Sequence, residues 1–246
     1  MVFIRIPMQV FDDSLVGRFL ESWKTCGETE DLDRIAEAQT TLTEKGSAVA
    51  LRGQINARYG RFLYVLVSMF QPQRIIEIGM ANGISSAYMA KAQTSYVKKP
   101  NAHRIIDPFQ SQQWQNAGRA LLKRLDLDHN VNVIEDYSHR AIPELEKNGE
   151  RFDFAFIDGN HCLDYTLSDM LLADRVLHTR GLIVLDDSTD FGVKMAVRYL
   201  DRYRGNLKRI VFDNPVAHII REVTNRRRRL TVYQKIGEDE RGADGI

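Results

Sequence analysis

The chain has 246 residues, 43% of them hydrophobic and 27% charged, which supports a folded core without disulfide or metal staples and excludes a disordered chain. The 34 Lys and Arg nearly balance the 33 Asp and Glu, leaving a formal net charge of +1, so no global field draws in nucleic acid or an anionic membrane surface. Two distant cysteines, Cys26 and Cys162, exclude a disulfide scaffold and a cysteine-based zinc centre and point to a reducing cytoplasm. Arg5, Asp12 and Asp13 interrupt the N-terminal stretch, so no secretory leader is expected, and no apolar run approaches the ~20 residues of a membrane span.

Val10, Leu15, Phe19, Leu20 and Trp23 recur at helical spacing, and Leu32, Ile35, Ala36 and Leu42 form a second stripe. Two or three short helices are expected there, acting as a packing extension, a lid or a dimer arm. Residues 47–70 read as one long helix, with Ile55, Tyr59, Phe62, Leu63, Leu66 and Phe70 on its apolar face and Pro72 ending it. Strand-like runs then alternate with helical ones. The strands are 74–78, 104–107, 131–135, 152–158 and 181–186, and the helices 85–92, 114–125, 140–147, 165–177 and 193–203. This alternation predicts an α/β fold with a parallel sheet and helices on both faces. Residues 207–212 and 230–235 are two more strand-like runs with no long helix between them, as an antiparallel pair at the sheet edge would have.

Ligands of open α/β sheets bind beyond the carboxyl ends of the strands. The first strand there delivers Glu77, Gly79 and Gly83. The second delivers Asp107, the third Glu135, Ser138 and His139, the fourth Asp158 and His161, and the fifth Asp186 and Asp187. One such acid is ordinarily a turn or cap residue. Glu77 lies within its strand, but acids finish the other four of the five strands, which points to a ligand instead. Gly79 and Gly83 allow a tight turn and close approach of a ligand to the backbone. The turn lacks the G-K-[ST] of a phosphate loop, and Ala81 breaks a dinucleotide G-x-G-x-x-G. An acid in the place of Asp107 is suited to grip two ribose hydroxyls. S-adenosylmethionine (SAM) fits this combination.

Residues 75–90 look like the first motif of class I SAM-dependent methyltransferases. Ile106-Asp-Pro-Phe109, the run 154–161 followed by Asp164, Tyr165 and Asp169, and the run 181–187 resemble the metal-dependent small-molecule O-methyltransferases of the catechol and macrolide-sugar type. The resemblance spans residues 47–235. It implies a Rossmann-like class I methyltransferase fold: a seven-stranded, mostly parallel sheet with an antiparallel edge strand, helices on both faces and an N-terminal helical extension. Residues 1–46 would form that extension, serving as lid or oligomer contact, and residues 47–246 the SAM-dependent methyltransferase domain. The resemblance places Glu77, Gly79 and Gly83 along the methionine part of the cofactor and Ser85 near its carboxylate. Asp107 falls at the ribose, Ser138 and His139 beside the adenine, and Asp158 at the meeting of cofactor and metal. Asp158, Asp186 and Asp187 stand where such enzymes bind Mg²⁺. The catechol enzymes carry a general-base Lys where this chain has His161, and some sugar enzymes an Asp where it has Asn160, so the base role moves to His161.

The chemistry agrees with this set. Methyl transfer from a sulfonium is chiefly a positioning problem. A hard cation on oxygen ligands lowers a hydroxyl's pKa, and an imidazole can take the proton near neutral pH. The expected reaction is O-methylation of a small hydroxylated acceptor, a phenol, a catechol or a sugar in natural-product biosynthesis. The rivals are another SAM-dependent reaction (N-methylation, cyclisation or hydroxylation) and a silent SAM-binding partner protein. No nucleic-acid or membrane partner is expected: the basic run at Arg226, Arg227, Arg228 and Arg229 reads as a solvated turn, and Cys162 beside His161 does not read as a nucleophile pair. A homo-oligomer through the N-terminal helices is one expectation. Trp114 reads as core.

Overall fold

The computed structural model describes residues 18–19, 21–23, 27–38, 40–97, 102–210 and 230–241. Cys26, Val10, Leu15, Leu20 and the arginine run lie outside them. Among the described residues no helix is long and apolar enough to cross a membrane.

Strands β3 (Ile75–Ile78), β4 (His103–Ile106), β5 (Val131–Ile134), β6 (Phe152–Ile157) and β7 (Leu177–Leu185) form the parallel body of a seven-stranded sheet. β8 (Leu207–Arg209) and β9 (Thr231–Lys235) complete it in the order β5-β4-β3-β6-β7-β9-β8. β9 runs antiparallel to both its neighbours and lies one place in from the edge. The chain starts in the middle of the sheet at β3, builds outward to β5, then returns to the other side of β3 with β6. Strand order therefore reverses between β3 and β6, which opens a crevice at their carboxyl ends.

The strands carry apolar residues on both faces. Ile75, Ile105, Phe154 and Phe156 face one core, and Ile76, Ile78, Ile106, Ala155 and Ile157 face the other. Helices α2 (Ala57–Phe70), α3 (Ile84–Thr94) and α4 (Ala117–Arg124) cover the first face. Helices α5 (Ser138–Lys147), α6 (Leu163–Val176) and α7 (Phe191–Tyr203) cover the second. α2 and α3 approach closely because residue 60 is glycine: a Cβ there would lie 2.1 Å from the Tyr88 ring.

In the N-terminal region residues 18–19 and 21–23 are helical and helix α1 (Glu30–Glu37) follows, as expected, but Thr40–Leu42 (β1) and Ala48–Ala50 (β2) form an antiparallel hairpin. The hairpin spans the boundary drawn at residues 46 and 47, so the extension is not purely helical. Residues 47–70 are not one helix either. Gly46, with φ +79, closes the hairpin turn, and α2 begins only after Asn56, whose side chain accepts from the Tyr59 N–H at 3.0 Å. α1 is fixed to the domain through Asp33, 7% exposed. Its carboxylate takes the Tyr88 hydroxyl at 2.6 Å and the Arg61 guanidinium. The fourth helix starts at Ala117 rather than at Trp114, because Gln115 and Asn116 have left-handed backbone, with φ of 50 and 56.

Candidate active site at the strand-order reversal

The crevice is built from the turn after β3 and the loop after β6. Gly79 has φ +90, and a Cβ on it would lie 2.0 Å from the Asp158 carbonyl oxygen. Only glycine lets the two strand ends come this close. Gly83, φ +82, precedes α3 and packs on the Gly118 backbone, where a Cβ would fall 2.8 Å from its Cα.

Asp107 secures this turn. Its Oδ2 accepts from the Met80 and Ala81 N–H groups at 3.0 and 2.9 Å and from Gln110 Nε2 at 3.1 Å, and its Oδ1 accepts from the Phe109 N–H at 2.8 Å. Three of these bonds crowd Oδ2, while Oδ1 takes one and keeps a second acceptor site. Gln110, 0% exposed, also donates to the Ala81 carbonyl at 2.8 Å, while its Oε1 has no partner. Glu77 lies beneath the turn rather than in the opening. It is 0% exposed, accepts the Ser85 hydroxyl at 2.5 Å and lies 3.0 Å from His103 Nε2.

Ser138 opens α5, and its hydroxyl donates to Asp169. His139 is exposed and stacks on Tyr137 at 5.5 Å between ring centroids, and Tyr137 meets Phe109 edge-on at 6.0 Å. Phe109 and Tyr137 are 39% and 40% exposed, so the ends of β4 and β5 present an aromatic surface. Glu135 beside them accepts from Ser111, whose hydroxyl holds its carboxyl below the usual range.

At the ends of β6 and β7, Asp158, His161 and Asp187 each bring one potential ligand atom within 4.8 Å of the others. His161 Nε2 lies 3.3 Å from Asp158 Oδ1, and its Nδ1 lies 3.5 Å from Asp187 Oδ2 and 3.3 Å from Asp190 Oδ2. Burial pushes the Asp158 carboxyl up to about 7, with the Asp186 and Asp187 charges adding to the rise while His161 opposes it. The Asp158 hydrogen bond, with the Asp187 and Asp190 charges behind it, pushes the imidazole up to about 9. Asp186 is 1% exposed and lies beside this group rather than in it. Asp187 has φ +45, which turns the chain sharply at the rim. Asp190 caps the α7 start, and sequence reasoning missed it although it stands only four residues beyond Asp186. A Cβ on Gly192 would lie 2.1 Å from the His161 carbonyl oxygen, so α7 seats directly on the His161 loop. Leu163 and Tyr165 in the first turn of α6 and Phe191 at the start of α7 are 37%, 44% and 80% exposed, and each stands within four residues of His161 or Asp190 in the chain.

The chain is similar in sequence and in fold to known methyltransferases. A family described as a methyltransferase domain matches residues 76–188. A putative caffeoyl-CoA O-methyltransferase of Arabidopsis thaliana is 27% identical over 54% of this chain and 54% of its own length. The tapetum-specific methyltransferase 1 of the same plant is 30% identical over 53% of each. A catechol O-methyltransferase of Mycobacterium tuberculosis is 25% identical over 59% of this chain and 62% of its own. The chain thus spans about half the length of the first two relatives. Among solved structures, the O-methyltransferase TomG of Streptomyces achromogenes in complex with SAM superposes with a TM-score of 0.61 at 18% identity, over 93% of this chain and all of that one. The SAH-bound methyltransferase PaMTH1 of Podospora anserina gives 0.59 at 14% identity, over 94% and 98%. The chain has the Rossmann-like fold of these methyltransferases, and residues 76–188 match a family described as a methyltransferase domain.

Proposed function

We propose that the protein is a SAM-dependent O-methyltransferase that methylates a hydroxyl of a small molecule, with a divalent cation at Asp158 and Asp187. The observation that carries this reading is the convergence of Asp158, His161 and Asp187 at the strand-order reversal, next to the Gly79 turn. The donor set fits Mg²⁺ or a similar ion: carboxylate oxygens at the ends of adjacent strands, with Asp186 behind them. When bound, the cation lowers the pKa of an acceptor hydroxyl and fixes its direction. The cofactor cradle fits as well. The Gly79–Asp158 contact leaves no room for a Cβ, the α3 N-terminus follows at once, and the Phe109, Tyr137 and His139 rings suit an adenine. Asp107 would take a ribose hydroxyl on the remaining acceptor site of Oδ1 and, by giving up its 3.1 Å Gln110 contact, a second on Oδ2.

His161 holds the proton economy of the site. Three carboxylates share it, so its ring is charged while Asp158 and Asp187 are free to pair with it. With a cation engaging both carboxylates, Asp190 would be the carboxylate left beside the ring; the imidazolium would then release its proton to solvent, and the neutral imidazole could accept the proton of the acceptor hydroxyl. The exposed Leu163, Tyr165 and Phe191 suit a phenol or catechol ring more than a sugar. The relatives named as caffeoyl-CoA and catechol enzymes point the same way. The two distant cysteines, with no disulfide framework, support a cytoplasmic location.

An acceptor screen with methyl-labelled SAM and Mg²⁺ tests it. Label should pass to a catechol, and the product should gain one CH₂ in mass on oxygen. Cofactor turnover without transfer to any oxygen would favour another SAM reaction. Binding without turnover would favour a silent partner.

A further inference from the structure

Among the described residues, the group of ligand atoms at the ends of β6 and β7 includes one nitrogen donor, His161. The Mg²⁺ of the proposed function does not use it. The catechol enzymes carry a lysine at this place, and an ammonium has no lone pair to give an ion. A neutral imidazole has one. The histidine of this chain therefore adds a ligand to the site as well as changing its base.

Its placement suits ligation. Nε2 lies 3.3 Å from Asp158 Oδ1. Neighbouring ligands on a four-coordinate zinc, with bonds of about 2.0–2.1 Å, stand about 3.3 Å apart, so these two atoms have the spacing of two ligands on one ion. Asp187 supplies a third ligand atom within 4.8 Å of the others. Nδ1, the other ring nitrogen, lies 3.3 Å from Asp190 Oδ2, and its N–H can stay there while Nε2 binds. A carboxylate on the far nitrogen fixes the tautomer and direction of a metal-bound imidazole. Two classes of ion rank these donors differently. Mg²⁺ takes oxygen and leaves imidazole aside, whereas zinc takes imidazole readily.

We propose that His161 gives the site a second binding mode, in which Zn²⁺ held by Asp158, His161 and Asp187 displaces Mg²⁺ and stops methyl transfer by occupying the imidazole that takes the acceptor proton. Asp190 is a positioning residue in this mode. The proposal rests on the Mg²⁺ and base assignments of the proposed function.

Calorimetry of the metal-free full chain with Zn²⁺ and with Mg²⁺ tests the ligand set without turnover. His161→Gln should weaken Zn²⁺ binding by ~10-fold or more and leave Mg²⁺ affinity unchanged or raised. Asp190→Asn keeps all three ligands and loosens only the ring. It should weaken Zn²⁺ by ~10-fold and Mg²⁺ far less, and it serves if His161→Gln does not fold. A merely electrostatic role for either residue would move both ions together. A folded variant in which Zn²⁺ affinity is unmoved, or in which both ions shift alike, overturns the proposal. Zn²⁺ added to the Mg²⁺-loaded wild type should also stop methyl transfer, at a concentration that Asp190→Asn raises by the factor seen in calorimetry. Full transfer with Zn²⁺ in place of Mg²⁺ would overturn the proposal as well. No methyl transfer with Mg²⁺ alone would overturn the proposed function, and the calorimetric contrast would still decide whether His161 is a ligand.

Discussion

Two groups of buried acids lie at opposite ends of the same sheet, and they are built in opposite ways. At the amino end of β7, Asp174 accepts from Arg204 and from Asn206 Nδ2 at 2.9 Å, and the buried Lys235 donates to the Asp174 and Leu177 carbonyls at 2.8 and 3.0 Å and to Glu238 at 2.8 Å. Arg204 reaches Asp239 as well, at 2.9 Å. Each charge there meets a counter-charge or an aligned dipole. At the carboxyl end, three carboxylates share the one His161 ring, and burial holds Asp158 at about 7 in spite of that ring. A structural network is closed in charge. In the proposed cation site, several carboxylates gather on a single ring, and the desolvation of Asp158 is a stability cost that an ion would relieve.

Substitution at the closed end should cost the most. Asp174→Ala leaves Arg204 and Lys235 buried with no carboxylate between them and should destabilise the fold by about 3–5 kcal/mol, read by denaturant titration. Asp158→Asn, by contrast, should leave stability unchanged or raised while abolishing divalent-ion binding. If the two substitutions destabilise alike, the contrast between the two ends fails. His161→Gln should keep SAM and metal affinity and lower kcat by about 10²–10⁴, and a change within a few-fold would assign deprotonation to solvent instead. Asp107→Ala should weaken S-adenosylhomocysteine binding by about 1–3 kcal/mol, and unchanged affinity by calorimetry would make Asp107 a clamp of the Gly79 turn alone.

The smallest expected effect is on the pH dependence of stability. Asp158 binds its proton more tightly folded than unfolded, so its contribution is lost as pH rises from about 4 to about 7. His161 is also raised, so its contribution is present below about 6.5 and lost as pH rises through about 9. The metal-free protein should therefore melt lower as pH rises over this window. Added Mg²⁺ should restore more of the Tm at pH 9 than at pH 6, because protons no longer compete for Asp158 and His161. A Tm gain independent of pH would remove these two groups from the metal site.

The sequence pattern carried most of the architecture, because buried parallel strands and amphipathic helices have different periods. The acids at the strand ends were legible for the same reason: each follows an apolar run directly. What stayed hidden depended on contacts distant in the chain. The β1–β2 hairpin escaped because Ala48-Val-Ala50 also suits a helix, and only pairing with Thr40–Leu42 makes it a strand. The engagement of Asp107 by the Met80 and Ala81 amides could not be read from spacing, nor could the burial of Glu77 under Ser85. Asp190 stands at the N-cap position of α7 and follows no apolar run directly, so nothing in the sequence singled it out. Its approach to His161 depends on Gly192 letting α7 seat on the loop.

The central claim is that the acids around His161 hold a divalent ion that the methyl transfer needs. Methyl transfer from labelled SAM to a catechol, measured with chelator-stripped enzyme and again as Mg²⁺ is added back, tests it most directly. The account predicts no transfer in the stripped enzyme, retained SAM binding, and recovery on adding Mg²⁺ in the wild type but not in Asp158→Asn. Full transfer by the stripped wild-type enzyme would contradict it.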